Sequence, residues 1–174
     1  MKFTSLEDIL TDELKDLYSA ENQLVKALAS IAKGVDSEDL RSIFEEHLKQ
    51  TQKHVERLET ICQKLDISPK GKKCVGMQGL IEEGTEMLNS KGESEPLEAG
   101  VIGAAQRVEH YEIAAYGTAR AHARQLGFLE IADLLDQTLT EEKQANDKLT
   151  YIAENRINVQ AAMNNSTEAI KMKM

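Results

Sequence analysis

The chain has 174 residues and a formal net charge of −9, from 21 lysines and arginines against 30 aspartates and glutamates. A chain of this length can bury the core of one domain without disulfides or metals. The acidic balance argues against a nucleic-acid backbone or an anionic membrane as the main partner, because both require clustered lysines and arginines. Cations are the more natural ligands.

The first residues, MKFTSLEDILTDEL, carry acids and lack an unbroken apolar core. We therefore expect neither a signal peptide nor a membrane span, and a cytoplasmic location. Cys62 and Cys74 form neither a CxxC pair nor a disulfide framework. In a reducing compartment both thiols are expected to be free.

The first half of the chain predicts two long helices. Over residues 6–32 the apolar positions recur at spacings of three, four and seven, which is typical of an amphipathic helix. Thr4 and Glu7 have the spacing of a capping box at its start, and Gly34 marks its end. A second helix begins in the acidic segment after Gly34 and continues to just before Pro69.

The second half predicts a long connection and two further long helices. The connection, residues 66–95, is basic and contains glycine at its start, and it holds a short helix near residues 77–88. Ser94 and Pro96 open the third long helix. Gly127 separates the third helix from the fourth.

The lengths of the connections predict the topology. Tight turns near Gly34 and Gly127 make two antiparallel hairpins, whereas about 30 residues join the second long helix to the third. One long crossover at this place is typical of ferritin-like bundles, as opposed to up-and-down or cytokine-type bundles. We therefore expect an all-α, ferritin-like four-helix bundle in which residues 1–155 form a single domain. Residues 156–174 are expected to be a polar, poorly ordered C-terminal tail.

Glutamates interrupt the apolar stripes of three of these helices. Glu21 lies on the face formed by the leucines of the first helix, and Glu112 and Glu142 occupy equivalent positions in the third and fourth. Charged side chains are rarely buried unless they are paired or bind metal. Convergent carboxylates therefore have to share protons or a cation.

The polar residues also lie at matching heights. Glu21 and His47 are each 13 residues from Gly34, and Glu112 and Glu142 are each 15 residues from Gly127. In an antiparallel pair, residues equally distant from a tight turn lie at the same level. All four helices thus contribute at one level, and carboxylates with imidazole in a bundle core are typical ligands of Fe or Mn.

Each residue taken alone has a simpler explanation. A single glutamate in a helix stripe is usually a boundary residue whose carboxylate reaches water. His47 or His54 alone is more often a hydrogen-bonded core histidine than a ligand. Glu109, one turn before Glu112, is equally a ligand or a surface acid. Only the coincidence of several such residues at one depth favours a metal site.

Several short motifs resemble one known family. They are YSAENQL at 18–24, the segment 44–51 with His47-Leu48, Lys73-Cys74 followed by Met77 and GLIEE at 79–83, EHYEIA at 109–114 followed by YGT at 116–118, and EEK at 141–143. Together they resemble the YciF/YciE family of bacterial stress-response proteins over nearly the full length. The resemblance implies a rubrerythrin-like bundle, a homodimer, and a di-metal site. The site residues it implies are Glu21, the position near 50, Glu109 or Glu112, and Glu142.

The sequence departs from the usual di-iron pattern in two ways. Di-iron carboxylate bundles typically carry Glu-x-x-His on two helices, and no Glu-x-x-His occurs in this sequence. Gln50 stands where the resemblance implies a glutamate, while His54 lies one turn further along the same face. The hypothesis that follows is that His54 replaces the missing ligand of the second helix.

The sequence thus predicts a dinuclear non-haem site, Fe or Mn, in a protein of stress or oxidant defence. Glu112 or Glu109 would bridge or cap the ions. The predicted ligands are Glu21, His47, His54, Glu109, Glu112 and Glu142. The alternative is a metal-free structural or interaction bundle of the stress response that has lost its di-metal site. Whether the protein is an enzyme stays open; an enzyme of this kind would be a di-metal oxidase or peroxidase.

Overall fold

The computed structural model describes residues 3–163, which contain helices and no strand. The α-helices of this part of the chain are α1 (Leu6–Gly34), α2 (Glu38–Lys64), α3 (Val75–Leu88), α4 (Ser94–Gln125) and α5 (Leu129–Ile152). The predicted all-α class is confirmed, as is the placing of a short helix in the connection between the second and third long helices. None of the described helices combines the length and apolarity that a membrane span requires.

Capping side chains determine where α1 begins. The Ser5 hydroxyl accepts a hydrogen bond from the Asp8 backbone N–H at 3.1 Å, and the Asp8 carboxylate accepts one from the Ser5 backbone N–H at 3.0 Å. Asp8 also accepts hydrogen bonds from the backbone N–H and the hydroxyl of Thr4. The predicted pairing of Thr4 with Glu7 is therefore wrong by one residue, because Asp8 collects the donors at this helix start.

Residues with positive φ follow the ends of α2 and α4. Gly127 has φ of 78° and ends α4 where the sequence predicted. Asp66 has φ of 53°, and the chain reverses there so that the Ile67 N–H donates to the Cys62 carbonyl at 3.0 Å. Aspartate tolerates this conformation better than most residues. As a result α2 ends at Lys64, earlier than the predicted end before Pro69.

The four long helices form a ring in the order α1, α2, α5, α4, and α3 packs against α1 and α4. Glu98, in the first turns of α4, accepts hydrogen bonds from the backbone N–H groups of Asp36 and Ser37 before α2. The helices α2 and α4 therefore start at the same end of the bundle. Neighbouring helices in the ring are antiparallel, with one long crossover between α2 and α4.

Ion pairs join α2 to α5 along their length. Lys148 lies 2.9 Å from Glu46, Lys64 lies 2.6 Å from Glu130, and Arg156, four residues beyond the end of α5, pairs with Asp39. Exposed pairs of this kind contribute little to stability. They show, however, that α2 and α5 are antiparallel neighbours with a fixed register.

The core consists of two hydrophobic clusters separated by a polar layer. One cluster lies toward the turn between α1 and α2 and includes Leu28, Phe44 and Val101. The other lies toward the turn between α4 and α5 and includes Leu14 and Leu135. The predicted metal-ligating residues fall between these clusters in every long helix, so the polar layer is enclosed by apolar side chains on both sides.

The helical backbone continues beyond the predicted end of the bundle at residue 155. A π-helical turn, Ala153–Ile157, follows α5, and helix extends from there to residue 163. Ile157, which lies in the segment predicted as a polar tail, is buried in the first hydrophobic cluster. The rest of that tail, 164–174, lies outside the described residues.

The link between Glu98 and the start of α2 is testable. Glu98 is buried, and its carboxylate lies 2.8 Å from the Asp36 nitrogen and 2.7 Å from the Ser37 nitrogen. Replacing Glu98 by alanine leaves both N–H groups without this acceptor, so Glu98→Ala should lower the free energy of unfolding by about 1–3 kcal/mol. Urea denaturation measures the loss. The exposed Glu86 provides the control, since Glu86→Ala should change stability by less than ~0.5 kcal/mol. Equal unfolding midpoints for the two variants would contradict the assignment.

Candidate metal centre

The predicted ligands lie together in the polar layer, and each is buried. Each of these residues is at most 5% exposed. They are Glu21 on α1, His47 and His54 on α2, Glu109 and Glu112 on α4, and Glu142 on α5. Glu109, which the sequence left undecided between ligand and surface acid, is 2% exposed.

The side chains form two groups with one member in common. His47, Glu109, Glu112 and Glu142 make the first group, and Glu21, His54 and Glu142 make the second. Within each group one ligand atom per residue lies within 4.8 Å of the others. Glu142 belongs to both groups, so it holds the position between them that the sequence analysis had assigned to Glu112 or Glu109.

Burial of these acids makes their ionisation costly. Desolvation raises the pKa of Glu21, and it raises the pKa values of Glu109 and Glu112 well above their ordinary range. The negative charge of Glu142 adds to the shift in all three. These carboxyl groups therefore tend to keep their protons unless a positive charge enters the layer.

His54 supplies one such positive charge. Its Nδ1 lies 2.8 Å from a Glu142 oxygen and 3.5 Å from a Glu21 oxygen, and its Nε2 lies 2.9 Å from a Glu141 oxygen. Burial by itself lowers the pKa of His54, but the interactions with Glu142 and Glu21 outweigh it and raise the pKa to about 10. In this arrangement the imidazolium stands among the carboxylates as their counter-ion.

His47, in contrast to His54, is uncharged. Desolvation lowers the pKa of His47, so its imidazole is neutral near pH 7. Its Nε2 lies 3.2 Å from a Glu109 oxygen, but neither ring nitrogen makes a well-aligned hydrogen bond among the described residues, and both are buried. A neutral imidazole has a lone pair that can bind a metal ion.

Several other buried oxygens lack a hydrogen bond within residues 3–163. Both carboxylate oxygens of Glu112, one of Glu21 and one of Glu109 are in this state. Folded proteins rarely leave buried polar atoms unsatisfied, and a bound ion can supply the missing partner. The donor set of carboxylates with one imidazole in each group therefore fits a metal ion.

Two residues outside the predicted ligand set contact the polar layer. Tyr116 is fully buried, and its hydroxyl donates a hydrogen bond to Glu21 at 2.5 Å. Glu141 accepts from His54 and also pairs with Arg57. Both residues stand in motifs that carry the family resemblance, and Tyr116 lies four residues after Glu112 on the same helix face. The contact of Glu141 with His54 could not be predicted, because it depends on which helix packs beside α5.

His54 belongs to one of the two groups of candidate ligands, whereas the half-buried Gln50 interacts through its side chain with His47. The two remaining histidines, His110 and His122, are outside both groups. The histidines that α2 contributes to the polar layer are His47 and His54, and replacement of the missing carboxylate by His54 stays a hypothesis.

Comparisons with known proteins identify the family. Residues 5–162 match the family described as a domain of unknown function, DUF892. Protein YciF of Escherichia coli strain K12 is 43% identical over 162 residues, which cover 92% of this chain and 98% of that protein. The crystal structure of the E. coli stress protein YciF matches with a TM-score of 0.87, at 43% identity, over 90% of this chain and 99% of that chain.

Two further solved structures are similar. YcfI of Rhodopseudomonas palustris, described provisionally as a structural protein, has 41% identity and a TM-score of 0.82 over 84% of this chain and 94% of its own. A protein from Xanthomonas campestris pv. campestris shares the fold at 20% identity, with a TM-score of 0.73 over 94% of this chain and 99% of its own. The chain therefore belongs to the DUF892 family and is a relative of the stress protein YciF, as the sequence motifs indicated.

Proposed function

We propose that this protein binds a dinuclear non-haem metal site, Fe or Mn, in the polar layer of a ferritin-like bundle. The observation that carries the proposal is the position of Glu142, which is shared by two groups of buried donors drawn from all four long helices. Glu142 would lie between the ions. His47, Glu109 and Glu112 would hold one ion, and Glu21 and His54 would hold the other.

The chemistry of the donors favours these metals. Carboxylate oxygens with imidazole nitrogen suit Fe and Mn, whereas soft metals such as Cu(I) prefer thiolates and thioethers. Both cysteines are free and buried, and neither belongs to the donor groups of the described chain. A positive ion would also relieve the repulsion that raises the pKa values of Glu109 and Glu112.

Oxidant defence is the role we propose for such a site. The E. coli relative is described as a stress protein, and bound Fe or Mn would supply one-electron redox chemistry toward peroxide or O₂. The chain's own residues would hold the ions, exclude bulk water through the two hydrophobic clusters, and fix Glu21 through the Tyr116 hydroxyl. Reduction of peroxide or O₂ is the reaction to test first. A homodimer and a cytoplasmic location remain part of this proposal.

A metal-free structural or interaction bundle is the second candidate. The contacts of His54 favour it, because an imidazolium between Glu142 and Glu21 balances part of the charge without any ion. The absence of Glu-x-x-His from the sequence points the same way. In this case the remaining acids of the layer would stay protonated.

Elemental analysis separates the two candidates. Protein purified without chelator should contain Fe, Mn or Zn approaching two ions per chain if the site is dinuclear. Because Glu142 belongs to both donor groups, Glu142→Gln should lose most of both ions. Glu130 is an exposed residue on the same helix, and Glu130→Gln should keep the wild-type metal content. Wild-type protein with essentially no metal, even after reconstitution, would favour the metal-free bundle.

The ligand from α2 can be tested with a pair of substitutions. His54→Ala removes a buried donor of the second group, so the affinity for Mn²⁺ should fall at least about tenfold, because loss of even a hydrogen-bonding partner of a ligand typically costs about 10–100-fold. Gln50→Ala removes an uncharged side chain that interacts with His47 and not with His54, so the affinity should fall less than in His54→Ala. Isothermal titration of the metal-free protein measures both. Unchanged affinity in His54→Ala would remove His54 from the ligand set.

The stability of the metal-free protein should fall as pH rises. Above about pH 4.5 the unfolded chain has lost carboxyl protons that Glu21, Glu109 and Glu112 retain when folded, since their folded pKa values are raised. His54 also makes stability fall as pH rises, between pH 6.5, its ordinary pKa, and about 10, its pKa in the folded protein. His47, whose pKa is lowered, opposes this only in the range below pH 6.5.

Urea denaturation in the presence of chelator measures how the stability of the metal-free protein falls with rising pH. Between about pH 6.5 and pH 8, His54 alone should lower the free energy of unfolding by about 2 kcal/mol, because one pH unit corresponds to about 1.4 kcal/mol per proton. Adding Mn²⁺ at the higher pH should restore stability, since the ion replaces the missing positive charge. A metal-free protein that gains stability between these two pH values would contradict the proposed electrostatics.

A further inference from the structure

We propose that Glu141 and Arg57 form a clamp outside the polar layer that orients His54, and that this clamp makes the two halves of the metal site unequal. The inference rests on the proposed function, because it concerns how this chain would hold its ions. Neither clamp residue belongs to the donor groups of the described chain. Glu141 precedes Glu142 on α5, and Arg57 lies one turn beyond His54 on α2.

The clamp is a continuous set of contacts from the protein surface to the buried imidazole. A Glu141 oxygen lies 2.9 Å from Nε2 of His54. Arg57 donates to the same oxygen at 2.8 Å and to the other Glu141 oxygen at 3.3 Å. Arg57 also donates to the hydroxyl of Thr138 on α5. Its side chain is 11% exposed, against 26% for Glu141. A guanidinium that grips both oxygens of a carboxylate fixes its orientation as well as its charge.

The contact determines which nitrogen of His54 can bind an ion. A neutral imidazole has one N–H and one lone pair. Because Glu141 is held as an acceptor against Nε2, the proton stays on Nε2, and the lone pair belongs to Nδ1. Nδ1 is the atom that faces Glu142 and Glu21. A carboxylate behind a metal-binding histidine typically changes metal affinity by about 10–100-fold.

His47 in the other half of the site has no carboxylate–guanidinium clamp, and the side chain of its own helix that interacts with it is the uncharged Gln50. Nε2 of His47 faces Glu109, which is itself a candidate ligand, and its Nδ1 makes no hydrogen bond within residues 3–163. The half formed by Glu21, His54 and Glu142 therefore has fewer donors but a pre-oriented imidazole. The half containing His47 has more donors, and its imidazole lacks a charged residue behind it that would fix its orientation. The clamp should consequently affect one of two ions.

Titration of the full-length, metal-free chain with Co²⁺ tests whether the clamp affects one ion only. Visible absorption reports the binding of each equivalent of Co²⁺, and competition with a chelator gives its affinity. Glu141→Ala should weaken one equivalent about 10–100-fold and leave the other within about threefold. Glu141→Gln keeps an oxygen acceptor for the His54 N–H but loses the charge, so it should weaken the same equivalent less. Glu130→Ala removes the Lys64–Glu130 pair between the same two helices, and both equivalents should stay unchanged.

Proton NMR of the Co²⁺-loaded protein supplies a readout that a loss of stability alone would not reproduce. The N–H of a cobalt-bound histidine gives a strongly shifted, exchangeable signal. In the wild type, Glu141 should protect the His54 signal from exchange, and in Glu141→Ala it should broaden or vanish, while Glu141→Gln should keep part of it. Circular dichroism checks that each variant is folded.

The outcomes distinguish this inference from the proposed function. If wild type binds Co²⁺ but the Glu141 variants weaken neither equivalent, or weaken both equally, the clamp is refuted and the metal site stands. Persistence of the protected His54 signal in Glu141→Ala would also refute the clamp. If wild type binds no Co²⁺, the proposed function fails and the clamp fails with it.

Discussion

The structure depends on the confinement of several acidic side chains in a layer that water does not reach. Apolar clusters lie on both sides of this layer, and its glutamates are at most 2% exposed. Ionised carboxylates in such a place are strongly destabilising unless opposite charges accompany them. The protein therefore has to provide protons, an imidazolium or a metal ion, and the functional possibilities differ in which of these is present.

Helix periodicity turns the acidic side chains of the polar layer toward the core, and the bundle topology brings them to the same height. Glu21, Glu112 and Glu142 each occupy a position of their helix that otherwise carries apolar residues facing the core. The ring of four antiparallel neighbours then brings these positions to the same height. The ends of the helices are fixed independently, by Ser5 and Asp8 at the start of α1 and by Glu98 at the start of α2.

The parts of the site that periodicity controls could be predicted from the sequence, and the parts that depend on neighbouring helices could not. The buried glutamates in the stripes and the equal heights of the helices follow from spacing alone. The burial of Glu109 does not, because it depends on which side chains of the other helices reach it across the bundle, among them His47. The contact of Glu141 with His54 could not be predicted from spacing either, because it depends on the pairing of α2 with α5. The helix beyond residue 155 was missed because the isolated apolar residue Ile157 predicts little until its neighbours are known.

The metal-bound and metal-free interpretations are two charge states of one layer. In the metal-free state His54 carries a proton against Glu142, and protons remain on other acids of the layer. A cation that takes the place of those protons must displace them, so its affinity increases with pH over the same range in which the metal-free protein loses stability. The proposed clamp, which directs the Nδ1 of His54 at Glu142, would serve both states, because that nitrogen carries a proton in one and offers a lone pair in the other. The same contacts that would organise an ion site therefore also balance part of the charge of the layer when no ion is bound.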